Sequence, residues 1–233
     1  NGQPAEAKKV YDAILGLKPE EKDAYFLRGS AELELGDYES AKADFDKAIS
    51  MDPKNYDRLI EIYEALADYG YREVGQEYLQ NVLNTDKKLD AYDSGRIYYY
   101  LGDYQKAYLA LEEAKGKGGV DSYLYLGKAY AATGDYNYAS SVYSNYLSKQ
   151  GPDAEIYNQL GLCELAKKDY QKALEAFQAG KQIEGNSLMQ TLSFNEIVAY
   201  EYLQDYQKAA VLLKAYLQNY PDDQAAIREQ QFL

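Results

Sequence analysis

Residues Asp23–Pro53, DAYFLRGSAELELGDYESAKADFDKAISMDP, decide how this 233-residue chain is to be read. Tyr25, Gly29, Glu32 and Leu33 fall at helical spacing before Gly36, and Ala41, Phe45, Ala48 and Ile49 do so after Asp37. Two stripes therefore face each other across a tight turn, which predicts an antiparallel helix hairpin. Gly36 suits the left-handed conformation that ends a helix, and the Asp37 carboxylate suits the cap of the next one. Tyr38 is expected to lay its ring across the hairpin, while Gly29 and Ala41 keep the two backbones close.

Outward from this stretch (residues 22–55) the pattern returns. Upstream, Ala7, Tyr11 and Ile14 followed by Pro19 repeat the spacing of Ala41, Phe45, Ala48 and Pro53, so residues 1–20 read as a second half-hairpin whose first helix is expected in a longer parent protein. Residues 56–87 carry Leu59, Ile62, Tyr63 and Leu66, the turn Tyr69-Gly70-Tyr71, then Gly75, Leu79 and Val82. Gly75 stands where Ala41 stood; a mid-helix Gly costs about 1 kcal/mol relative to Ala, so close packing is its expected reason. Residues 88–119 carry Ala91, Gly95 and Tyr98, then Gly102-Asp103-Tyr104, then Ala107, Leu111 and Ala114, and leave through Gly116-Lys117-Gly118-Gly119, the expected hinge. Units follow at 120–153, 154–189 and 190–221, with Ile197 of the last at a place where Gly is usual. Residues 222–233 read as a capping helix with Ala226, Ile227 and Phe232 on one side.

The turns centre on residues 37, 71, 103, 135, 169 and 205, a period of 32 to 36 residues. Five of the six share Asp-Tyr followed three residues later by Ala. With Tyr25, Tyr123 and Tyr157, Gly29, Gly95, Gly127 and Gly161, and Ala41, Ala107, Ala139, Ala173 and Ala209 in phase, the chain resembles the tetratricopeptide repeat family over nearly its whole length. The resemblance implies an all-α fold, a right-handed α-solenoid (superhelix) of tandem antiparallel helix hairpins forming one domain over 1–233, with a C-terminal capping helix.

Composition narrows function. The chain has no His and one Cys, Cys163, which excludes imidazole acid–base chemistry, Ser-His and Cys-His nucleophiles, internal disulfides and thiolate metal sites. Cys163, among Leu160, Leu162 and Leu165, reads as a small core residue. No phosphate-binding Gly loop is present, adjacent acids such as Glu112 and Glu113 read as a solvated helix face, and Asp52–Asp57 lacks the Gly of a calcium loop. A net charge of −13 opposes binding to nucleic acid or an anionic membrane, and no apolar run is long enough to span a bilayer. A non-enzyme without cofactors or metals is therefore expected. With 28 Tyr and no Trp, tyrosine must fill many core and rim positions.

In the family resembled, first helices of successive hairpins line a concave groove that holds a peptide. Carried over position by position, that groove comprises Phe26, Ser30, Ile60, Glu64, Tyr92, Arg96, Tyr99, Leu124, Lys128, Asn158, Leu162, Phe194, Val198 and Tyr202. Arg96 and Lys128, at equivalent places in an acidic chain, read either as anchors for a peptide carboxylate flanked by Tyr92, Tyr99 and Leu124, or as partners of nearby acids such as Asp93 and Asp121. The family's carboxylate clamp for chaperone tails is not reproduced, Asn158 being the one Asn in a comparable place. Three functions stay open: a protein or peptide binder, an assembly scaffold of a larger envelope-associated protein with self-association, and a glycan or small-ligand receptor using tyrosines such as those of the Tyr98-Tyr99-Tyr100 run. The reading leans toward a bacterial extracytoplasmic site over the cytoplasm.

Overall fold

The computed structural model describes residues 3–114, 117 and 119–232; Gly116 and Gly118, on which the expected hinge rests, lie outside these. The described residues form fourteen helices: α1 Pro4–Leu17, α2 Lys22–Glu34, α3 Tyr38–Met51, α4 Tyr56–Asp68, α5 Arg72–Thr85, α6 Ala91–Tyr100, α7 Tyr104–Ala114, α8 Gly119–Ala132, α9 Tyr136–Gln150, α10 Ala154–Ala166, α11 Tyr170–Lys181, α12 Met189–Tyr202, α13 Tyr206–Asn219 and α14 Gln224–Glu229. They divide into two compact units, residues 1–102 and 103–233. In the first, α1 packs on α2, α2 pairs with α3 and α4 with α5, and the first helices α2, α4 and α6 touch in succession. In the second, α8–α9, α10–α11 and α12–α13 are the hairpins, α9 and α11 each pack on the following first helix, and α14 rests on α13.

The turns explain the period. Gly36, Gly102 and Gly134 have φ near +79°, +79° and +84°, the left-handed region. The N–H groups of Asp37, Asp135, Asp169 and Asp205 each donate to the carbonyl five residues back, at 2.9–3.0 Å. The carboxylates of Asp37, Asp135, Asp169 and Asp205 then accept from the N–H three residues on and cap the second helix. Tyr71 makes the same backward bond to Leu66, with Gly70 at φ +88°, so the second turn keeps the shape without the carboxylate cap. Lys168 and Gln204 hold φ +63° where the other turns use Gly.

A small-on-large contact closes the first, second, fourth and fifth hairpins. A Cβ on Gly29 would sit 2.8 Å from the Phe45 ring, on Gly127 2.2 Å from Tyr143, and on Gly161 2.3 Å from Phe177. In the second hairpin the ring is on the first helix: Tyr63 occupies the glycine's place, and Gly75, in the place of Ala41 on the opposite helix, clears space for it, a Cβ there lying 2.9 Å from its ring and 3.1 Å from its Cα. Close packing is thus the reason for Gly75. In the last, Ile197 replaces the glycine and, 1% exposed, shares a core with Leu213 and Tyr216.

Two expectations are amended. Tyr38 packs against a cluster that joins Leu33, Ala41 and Phe45 of its own hairpin to Ile62 and Leu66 of the next, and it also reaches forward to stack on Tyr71 with centroids 4.0 Å apart, as Tyr170 does on Tyr202 at 4.9 Å. The ring is long enough to tie one hairpin to the next, while Gly and Ala already close the hairpin itself. At the C-terminal end Ala226 is fully buried, but Phe232 is 82% exposed and covers nothing. Cys163 is buried, and burial pushes its thiol up to about 12. Glu201, near the end of α12, has its carboxyl raised to about 7 by burial first and by Glu229 of α14 second.

Candidate binding faces

Each first helix presents to its neighbours a face built from its opening turn. In the first unit that face is dominated by ion pairs between hairpins. Arg58 of α4 donates to Asp23 of α2 at 2.9 Å, lies 3.0 Å from Glu61, and places its guanidinium 4.0 Å above the Phe26 ring. Arg96 of α6 donates to Asp57 of α4 and to Asp93, both at 2.5 Å, with its guanidinium 4.4 Å from the centre of the Tyr92 ring. Burial alone would lower the Arg96 pKa; Asp57 and Asp93 more than offset it and raise it. Burial also raises the Asp93 carboxyl, against the pull of Arg96.

Arg96, read above as an anchor open to a ligand, is therefore a 7% exposed guanidinium already held by two carboxylates, and Asp93 is a partner as the second reading had it. Ile60 is 4% exposed and belongs to the core with Leu59, Tyr63 and Leu79 rather than to the face. Ser30 bonds back to the Phe26 carbonyl of its own helix at 3.0 Å. Glu64 is exposed and accepts from the Tyr100 hydroxyl at 2.6 Å, and Tyr99 meets the Tyr100 ring edge-on at 5.5 Å. The consecutive tyrosines Tyr98, Tyr99 and Tyr100 are all half-buried.

The second unit differs. Leu124, only 8% exposed, belongs to the interior, its carbonyl accepting from the buried Tyr143 hydroxyl at 3.3 Å. Asn158 is also buried, and its amide oxygen accepts from Asn195 of α12 at 2.8 Å, a cross-link between first helices. Lys128 of α8 keeps 31% of its side chain exposed, 3.7 Å from Glu155 of α10, a longer separation than the Arg96 pairs. Beyond it, Leu162 on α10 is 40% exposed and Tyr202 on α12 54%, with Phe194 and Val198 half-buried. Both α10 and α12 thus keep an exposed apolar side chain besides their core residues, while Phe194 packs back on the Ile197, Leu213 and Tyr216 core.

Sequence reading named Asp93 and Asp121 but missed Asp23, Asp57 and Glu155. These three fall fourteen residues before the first, second and fifth turns, the register Asp121 has before the fourth, and that register was the signal available. Among the described residues no group of three or more His, Cys, Asp or Glu side chains is placed to hold a metal, and no helix is long and apolar enough to cross a membrane.

Tandem hairpins closed by small-on-large contacts and joined through their first helices define a helical-repeat protein of the protein-interaction class. The tetratricopeptide repeat profile matches residues 1–56 and 124–187, and a second one matches 194–223; the chain belongs to the tetratricopeptide repeat family. Members are in general non-enzymatic scaffolds that bind other proteins. Among solved structures, the chain is similar to yeast Tom70 (17% identity, 92% of this chain and 48% of that chain, TM-score 0.65), to Pseudomonas aeruginosa pilF (18%, 91% and 97%, 0.54) and to YrrB, described as a TPR protein with an unusual peptide-binding site (18%, 97% and 100%, 0.52). These likenesses show the fold. A mouse FK506-binding protein-like sequence is 43% identical over 54 residues, 23% of this chain, which spans 16% of that relative's length.

Proposed function

We propose that the chain binds a peptide or partner segment along the first-helix face of residues 103–233. The observation that carries this is apolar surface left outside the core on α10 and α12: Leu162 is 40% exposed, and Tyr202, one face of which stacks on Tyr170, is 54% exposed, with Val198 half-buried on α12. A helix that is apolar on its outward side leaves surface for a partner to cover. Lys128, loosely paired with Glu155, supplies the cation for an acidic side chain or terminal carboxylate of that partner. A similar fold in YrrB is described with a peptide-binding site, which agrees with this use. In the first unit, Arg96 contributes by fixing Asp57 and Asp93 rather than by offering a free guanidinium.

Affinity capture on immobilised wild type beside the Lys128→Glu/Leu162→Glu variant tests the reading, with circular dichroism to verify equal helicity. Both sites are outside the core, so the variant is expected to stay folded and to lose partners that the wild type retains. Capture of the same partners by both would overturn the assignment and favour a scaffold that uses other surfaces.

A further inference from the structure

The sixth hairpin breaks the repeat at one more place. Twelve residues before each turn the chain has Tyr25, Leu59, Ala91, Tyr123, Tyr157 and then Ser193. Helix α12 runs unbroken from Met189 to Tyr202 into its turn, so Ser193 sits in the same register as the tyrosines. Where a large side chain is present, it fills the gap between the two helices of its hairpin. Tyr123 is 8% exposed and meets the ring of Tyr146 on α9 edge-on, with centroids 5.1 Å apart. Tyr157 approaches α11 closely enough that a Cβ on Gly180 would lie 3.2 Å from its own Cβ.

In the sixth hairpin the residue matching Tyr146 is Tyr216; Ser193 brings it no ring, and the α12 ring that meets it is that of the neighbouring Phe194, centroids 5.7 Å apart. A cavity of about 250 Å³ opens there, lined by Lys181, Ser193, Glu196, Ile197, Leu212 and Tyr216 among others. Its walls join apolar groups to a few polar ones. Glu196, only 7% exposed, accepts from Lys181 at 2.5 Å and from Gln178 at 2.8 Å, and the Ser193 hydroxyl adds a further donor and acceptor. The cavity lies between α12 and α13, beside the contact of Phe194 with Tyr216.

We propose that this cavity is a binding site for a phenol ring, which takes the position that Tyr123 holds in the fourth hairpin. Tyr216 offers the ring contact that Tyr146 gives Tyr123, and the polar wall meets the hydroxyl. The volume is ample, since closed apolar cavities of about 150 Å³ already take up benzene. A free small phenol and a tyrosine side chain of a partner share this chemistry.

The test uses the whole chain and 4-fluorophenol observed by 19F NMR, with p-cresol and N-acetyl-L-tyrosinamide as competitors. Wild type is expected to broaden the probe line saturably, p-cresol to reverse the broadening, and Ser193→Tyr to weaken binding at least tenfold by filling the site from within. Displacement by N-acetyl-L-tyrosinamide as well would assign the site to a partner's tyrosine; displacement by p-cresol alone would assign it to a free phenol. Ser193→Leu, which copies the second hairpin's Leu59, provides a second filled variant should Ser193→Tyr fail to fold. No saturable broadening by wild type, or unchanged binding in the filled variants, would overturn the proposal.

Discussion

Gly161 shows how narrowly single residues are constrained. An added Cβ would fall 2.3 Å from the Phe177 ring, which is fully buried and has nowhere to retreat. Gly161→Ala should therefore lose about 1–3 kcal/mol to overpacking, against a helix-propensity gain of about 1 kcal/mol. Adding Phe177→Leu should recover part of the loss, because Leu79, Leu111 and Leu213 occupy the equivalent place in other hairpins; urea melts of the single and double variants measure both. Glu201 gives a pH prediction. Its folded pKa, about 7, lies above the ordinary value of 4.5, so the folded state holds the proton more tightly than the unfolded chain. Its contribution is fully present below about pH 4.5 and is lost as pH rises through 7. The thermal midpoint of wild type should therefore fall between pH 5 and 8 more steeply than that of Glu201→Gln, and parallel profiles would contradict this. The small residues were legible in the sequence because they recur in phase. The Glu201–Glu229 encounter was not, because it joins helices from different periods.

At the scale of elements, the hairpin itself could be read directly from the chain. Apolar spacing placed both helices of every repeat, and the Asp-Tyr turns with their capping carboxylates appear in the structure where the pattern put them. What joins one hairpin to the next was harder to read. The bond from Arg96 to Asp57 spans 39 residues and the stack of Tyr38 on Tyr71 spans 33, and sequence gives each partner's register without its side-chain direction. For that reason a cation on a first helix looked available when it was already paired. Arg96→Ala should cost about 1–3 kcal/mol, since it leaves the half-buried Asp93 carboxylate without its counter-charge. Lys128→Ala, whose partner is looser, should cost less than 1 kcal/mol. Paired denaturation curves decide, and equal losses would mean that the two cations play the same part. The inter-hairpin acids Asp23, Asp57 and Glu155 carry the part of the candidate site that pattern reading passed over.

For the whole molecule, the family and the helical-repeat class followed from the period alone, and the two compact units did not, because the repeat continues through residue 102 without a break in phase. Each unit has its own buried clusters, with Phe45, Ile62, Leu79 and Ile97 in the first and Phe177, Leu192, Ile197 and Leu213 in the second. A polypeptide of residues 103–233 should accordingly melt as a cooperative helical protein; a broad, featureless melt by circular dichroism would show that its core is not self-sufficient. The pairing of Tyr63 on the first helix with Gly75 on the second bears on how such a chain can be rebuilt. The volume between two helices is kept by the pair, and either helix can carry the bulk. Grafting α4 alone opposite a second helix that bears a large ring would put two rings in one space, and grafting α5 alone opposite a glycine would leave a hole. The transplantable part of this protein is thus the hairpin, and a chimaera should be cut between hairpins, never at the Gly turn inside one.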